Sequence, residues 1–198
     1  MSEPKTLLQM AGAPMHPSPW DQAALVIIDA QNEYTTGMLP LTGVQAAVAE
    51  TRKLLDAARA KGTPVIHVVH QGKPGGAFNP EGPGGQIVPE LTPQAGETIV
   101  RKGLPNAFAG TDLADKLKAT GRKELIIAGF MTHMCVSATA RAALDHGYRA
   151  TVVAGACATR DLPDPLGGVV KAEQIHRTAL TELADRFSVI AKDAAAWS

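Results

Sequence analysis

The chain has 198 residues, enough for one ordinary domain or two small ones and for a core that needs no disulfide staples. Lysine plus arginine and aspartate plus glutamate both number 19, so the formal net charge is zero, which removes the electrostatic case for a nucleic-acid or anionic-membrane partner. Two cysteines, 19 glycines and 14 prolines exclude a disulfide framework, a four-cysteine zinc site and a low-complexity chain, and no apolar run approaches the ~18 residues of a membrane span.

Residues 1–22 carry four prolines and little periodicity, and read as an extended N-terminal arm. They show no basic start leading into an apolar stretch, so no signal peptide is read, and a cytoplasmic protein with free thiols is expected. Residues 23–198 read as a single domain. Ala23–Ile28 is a continuous apolar run ending in Asp29, the pattern of a strand buried on both faces. Residues 44–60 have helical spacing, with Lys61-Gly62 as the stop. Pro64–Val69 is a second strand, and the Gly- and Pro-rich residues 71–96 form a long loop of the kind that often serves function.

Thr98–Val100 reads as a short strand running into Arg101-Lys102. Residues 112–119 read as a helix with Thr111 as its cap. Leu125–Gly129 is a further buried strand, followed by a helix over 133–146 that ends near Gly147. Thr151–Ala154 is a strand, 169–186 a helix and 187–190 the last strand. Strands alternating with helices predict an α/β fold of three layers, α/β/α, around a mostly parallel, Rossmann-like sheet of about six strands. In such folds the site lies beyond the carboxyl ends of the strands.

Three strand ends carry chemistry: Asp29, Lys102 and Cys135. A carboxylate, an ammonium and a thiol gathered on one sheet edge make a nucleophile site. The thiol, in the first helical turn, is expected to have its pKa lowered by the helix dipole. Each residue also has a plainer role: Cys135 as a small core residue, Asp29 as a turn cap, Lys102 as a solvated cation.

The stretches ALVIIDAQNEY (24–34), RKGLPNAFAGTDL (101–113), ELIIAGFMTHMCVSATARAALDHGY (124–148) and ATVVAGACATRD (150–161) resemble the isochorismatase-like cysteine hydrolases. A histidine followed by ALTEL (176–183) matches as well. That superfamily includes nicotinamidases, N-carbamoylsarcosine amidases and ureidoacrylate amidohydrolases. The resemblance implies an isochorismatase-like hydrolase fold with Asp29 as general base, Lys102 as the charge-stabilising partner and Cys135 as nucleophile. It also implies a cis peptide at Phe130–Met131 that turns the N–H groups of Met131 and Cys135 toward an oxyanion. Tyr34 and Phe108 fall where the family places pocket-wall aromatics. Gln31 and Asn32 follow the base, where turn hydrogen bonds account for them equally well.

The implied reaction is hydrolysis of a C–N bond in a small amide, ureide or imide through a Cys135 thioester. The resemblance also implies a homo-oligomer, dimer or tetramer. Relatives that cleave a vinyl ether commonly lack the cysteine; ether or ester hydrolysis of a small organic acid, and a silent binding or thiol-sensing protein, remain the alternatives. No cofactor is expected. Nicotinamidases carry an Asp-x-His metal motif after the first helix, whereas residues 30–63 here hold no histidine. His67 and His70, three apart on a strand, point to opposite faces, so no catalytic metal is expected. His133 is a rival base two residues before the nucleophile. His176 reads as a helix-surface hydrogen-bonding residue, and Cys157 as structural.

Overall fold

The computed structural model describes residues 3–198, so the first two positions of the arm lie outside the described residues. The arm is not extended throughout: Leu7–Met10 forms a helical turn, α1. Its signal is a capping box. The Thr6 hydroxyl accepts from the Gln9 N–H, and the Gln9 side chain accepts from the Thr6 N–H. The turn docks through the Leu7 N–H, which donates to Asp185.

The sheet has six strands, all parallel: β1 (Ala23–Ile28), β2 (Val65–His70), β3 (Thr98–Lys102), β4 (Glu124–Phe130), β5 (Arg149–Ala158) and β8 (Ser188–Ala191). Two dipeptide strands, β6 (Leu162–Pro163) and β7 (Val169–Val170), pair separately as an antiparallel ribbon. The spatial order is β3-β2-β1-β4-β5-β8. The chain lays down β1, β2 and β3 outward to one side, then returns to place β4 against the free edge of β1. That reversal opens a crevice at the carboxyl ends of β1 and β4.

Helices α2 (Val44–Ala60), α3 (Leu113–Ala119), α4 (Ser137–Asp145) and α5 (Ala172–Arg186) cover the sheet. Alternation along β1 divides the core. Leu25 and Ile27 pack with Leu54, Leu55 and Ala58 of α2, while Val26 and Ile28 face Leu113, Leu117, Ala140 and Leu183. All six residues of β1 are buried, which is why it reads as an unbroken apolar run.

Two backbone positions shape the crevice. Asp29 has φ 49°, in the left-handed region that non-glycine residues rarely adopt, so the chain swings at the end of β1. Gly129 has φ 116°, and a Cβ there would sit 2.0 Å from the Ile28 carbonyl oxygen. The β4–β5 register shifts at the same point, between Ile127 and Gly129. Only glycine fits where β4 passes β1 on its way to the crevice.

Candidate active site

The crevice gathers the three charged or nucleophilic strand ends. Lys102 Nζ lies 2.7 Å from Asp29 Oδ2 and donates to Cys135 Sγ at 3.3 Å. Asp29 is 0 % exposed and Lys102 2 %. A buried ion pair of this kind is expensive to desolvate, so losing either partner leaves a costly isolated charge.

Cys135 lies in a single π-helical turn, Thr132–Val136, that enters α4. Such turns recur at functional sites. The Phe130–Met131 peptide that leads into it is cis. The expectation of a lowered thiol pKa is overturned. Burial pushes the Cys135 thiol up to about 12, and the Asp29 charge adds to the rise, outweighing Lys102. Burial also raises Asp29, to about 6, against the opposing pull of Lys102. The resting site at neutral pH is therefore a protonated thiol beside an ionised carboxylate, with the ammonium touching both.

Tyr34 is buried near the trio. Its ring meets Phe78 at 5.0 Å and Phe130 at 5.8 Å, both edge-on. Its hydroxyl pKa is raised by burial and by the nearby Asp29 and Cys135. Phe108 makes its aromatic contact elsewhere than Tyr34 does. Its ring stacks on His146, the C-cap of α4, at 4.4 Å.

The loop 71–96 is pinned onto the segment after β1. Gln31 Nε2 donates to the carbonyls of His70 and Gly85, and its Oε1 accepts from the His70 N–H. Asn32 Nδ2 donates to the Pro83 carbonyl. The buried Glu33 accepts from the Met38 and Phe78 N–H groups. Their side chains do not make the local turn hydrogen bonds expected of Gln31 and Asn32; they bond instead to His70 at the end of β2 and to Gly85 and Pro83 of the long loop.

His67 and His70 diverge as alternation requires. His67 Nε2 meets Glu97, which also accepts from Arg59, on the far side of the strand from the trio. His70 Nδ1 lies 3.2 Å from Lys102 Nζ. Among the described residues no group of three histidine, cysteine, aspartate or glutamate side chains is arranged to hold a metal ion. His133 Nδ1 is 2.6 Å from the Thr159 hydroxyl, and burial and then the Arg160 charge lower its pKa. His176 Nδ1 is 2.8 Å from the hydroxyl of Thr132, so it ties α5 to the nucleophile turn rather than facing solvent. Arg160, just beyond β5, is charged beside Tyr34 and His133, and its Nε is buried without a partner.

Sequence reasoning missed His70 and Phe78 in the surroundings of the trio, and Arg160 near Tyr34 and His133. His70 and Arg160 each follow a buried apolar stretch, the same signal that marked Asp29. Phe78 lies in a loop without periodicity and carried no signal.

The isochorismatase domain model matches residues 23–195. The chain is 37% identical over 182 residues to the secreted isochorismatase effector Isc1 of Verticillium dahliae, covering 91% of this chain and 93% of that protein. It is 36% identical over 147 residues to a maleamate amidohydrolase of Pseudomonas putida, covering 66% and 69% of the two chains. The crystal structure of an isochorismatase (PP1826) from Pseudomonas putida superposes with a TM-score of 0.91 at 46% identity, covering 96% of this chain and 97% of that one. Among the described residues no helix is long and apolar enough to cross a membrane.

Proposed function

The chain belongs to the isochorismatase family, and from that premise we propose that it is a cysteine hydrolase cleaving the C–N bond of a small amide, ureide or imide. One observation carries the reading: a buried thiol, carboxylate and ammonium in mutual contact, with Lys102 Nζ 2.7 Å from Asp29 and 3.3 Å from Cys135. The amidohydrolase relative supports the choice of bond, and a thiol nucleophile suits acyl transfer.

In the proposed reaction Asp29 takes the thiol proton as sulfur attacks the carbonyl carbon. The pKa ordering keeps that proton on sulfur until the substrate arrives. The carbonyl oxygen gains the negative charge and meets the N–H groups of Met131 and Cys135. The oxyanion collapses, the C–N bond breaks, and the amine leaves with the proton held by Asp29. A thioester remains. Asp29 then deprotonates water, which attacks the thioester; sulfur departs and regains the proton from Asp29. Lys102 stays positive throughout and holds both partners in line. Tyr34 and Phe78 wall the substrate.

Ammonia or amine release across a panel of primary amides, ureides and carbamoyl acids tests the reading, with intact-mass detection of an acyl adduct on Cys135. Turnover of an ester or vinyl ether only, with no adduct, would overturn it. No metal enters this scheme, and turnover is expected to persist after prolonged chelation. We further propose a cytoplasmic protein, on the two unbridged thiols, and a homo-oligomer. Light scattering would measure the association of copies.

A further inference from the structure

Lys102 must cross a strand to reach its carboxylate. β2 separates β3 from β1, so at about 4.8 Å per strand their ends lie about 9.6 Å apart. The lysine spans this gap over the end of β2, where its direct register partner is His70. Paired residues on adjacent strands present their side chains to the same face. The imidazole therefore lies beneath the lysine's path as a consequence of strand order.

An ammonium has three N–H bonds and accepts nothing. Lys102 Nζ has three acceptors around it: Asp29 Oδ2 at 2.7 Å, Cys135 Sγ at 3.3 Å and His70 Nδ1 at 3.2 Å. We propose that His70 is a positioning residue, its neutral imidazole serving as the third acceptor that holds the lysine between base and nucleophile. The proposal rests on the hydrolase reading above for its kinetic consequence, and on geometry alone for the protonation state.

The residue is fixed through its backbone and through its ring. Gln31 clamps the His70 backbone through both its N–H and its carbonyl, at 2.8 and 2.9 Å. Phe78 stands edge-on to the imidazole at 5.1 Å. An Nδ1 that accepts from an ammonium leaves the ring proton on Nε2. The charged and titratable groups around it are Lys102 from β3, Arg101 on the same strand lining the neighbouring groove, and Asp29 and Cys135 beyond the lysine. Asp29 is the sole anion of this set and is already paired with Lys102. Burial and the Lys102 charge both lower the His70 pKa, the direction that favours the neutral ring the lysine contact requires.

Imidazole nitrogen NMR on the full chain reads the state directly. At pH 7 His70 is expected as the neutral Nε2–H tautomer; in Lys102→Met its titration midpoint rises and the tautomers mix. An Nδ1–H tautomer in the unsubstituted protein overturns the proposal. On an amide the enzyme turns over, His70→Leu is expected to lower kcat by about tenfold to a hundredfold, the value of a hydrogen bond to a charged group, with KM little changed. His70→Asn, whose Oδ1 can take the place of Nδ1, should restore kcat to within about threefold. A Leu variant at full rate, or an Asn variant as slow as Leu, would mean that the ring merely packs against Phe78. Should no C–N substrate be turned over, the hydrolase reading fails and the NMR result still decides the state of His70.

Discussion

The turn after β4 and the outer half of β5 each hold one buried cysteine, and taken alone the two thiols are nearly alike. Cys135 is 5 % exposed and Cys157 6 %, and both are pushed up to about 12. The causes differ. Burial alone raises Cys157, eased only by the Gly129 backbone, whereas Cys135 also feels Asp29 and Lys102, whose charges pull in opposite directions. Thiol acidity therefore does not mark the nucleophile in this fold. What separates the two is a carboxylate close enough to take the proton, itself raised to about 6. In the proposed mechanism reactivity belongs to the pair.

The largest expected break in the comparison comes from removing the sulfur. Cys135→Ala should cut kcat/KM by on the order of 10⁴ or more, since the proposed thioester needs that sulfur. Asp29→Asn comes next. It keeps the shape but not the base, with an expected loss of about 10²–10⁴ in turnover. Slower alkylation of Cys135 by iodoacetamide should accompany it, with Cys157 unaffected. Turnover within threefold of the unsubstituted enzyme would instead point to another base, with His133 first in line, though its hydrogen bond to Thr159 argues against that role.

A pH profile sharpens the comparison with no substitution at all. Asp29 works as an anion, so kcat/KM should fall about tenfold per unit as pH drops below its value of about 6, and stay flat above about 7. The sign follows from the base having to be empty when the substrate binds. A free thiolate mechanism predicts no plateau in this range, a rate still climbing past pH 8 toward the thiol value of about 12. Stopped assays from pH 5 to 9 distinguish the two.

Much of this arrangement was legible in the residues. Six apolar positions before Asp29 gave β1, and the helical spacing over 44–60 gave α2 with the same bounds. The charges that ended apolar runs marked Asp29 and Lys102. Elsewhere the local signal was too weak. The helix expected from residue 169 begins at Ala172, because Val169-Val170 pairs with Leu162-Pro163 in a ribbon of two-residue strands, too short to show a period. β5 runs on to Ala158, past the expected Ala154, because Gly155-Ala156-Cys157 has little strand propensity and owes its conformation to its neighbours. The thiol pKa was misread for a related reason: the helix dipole is visible in sequence, but the burial and the Asp29 charge that outweigh it are not. Phe78 reaches the site through a backbone hydrogen bond to Glu33, which no pattern of side chains announces.

The smallest expected effect belongs to the other cysteine. Cys157 pairs in register with Gly129, at the point where β4 departs from regular geometry, and packs among the apolar side chains on the α4 side of the sheet. No carboxylate contributes to its titration, so it has no proton acceptor to make it a nucleophile. Cys157→Ala removes one sulfur atom from a packed core and should cost about 1 kcal/mol, the range of a small buried truncation. It should change kcat/KM by less than about twofold, because the lost packing lies behind the nucleophile turn rather than in it. Thermal unfolding and steady-state kinetics on the one variant test both halves. A large loss of turnover with normal stability would show that the β4–β5 pairing carries strain into Cys135, and the contrast between the two thiols would then be one of position in a shared mechanism rather than of active against inert.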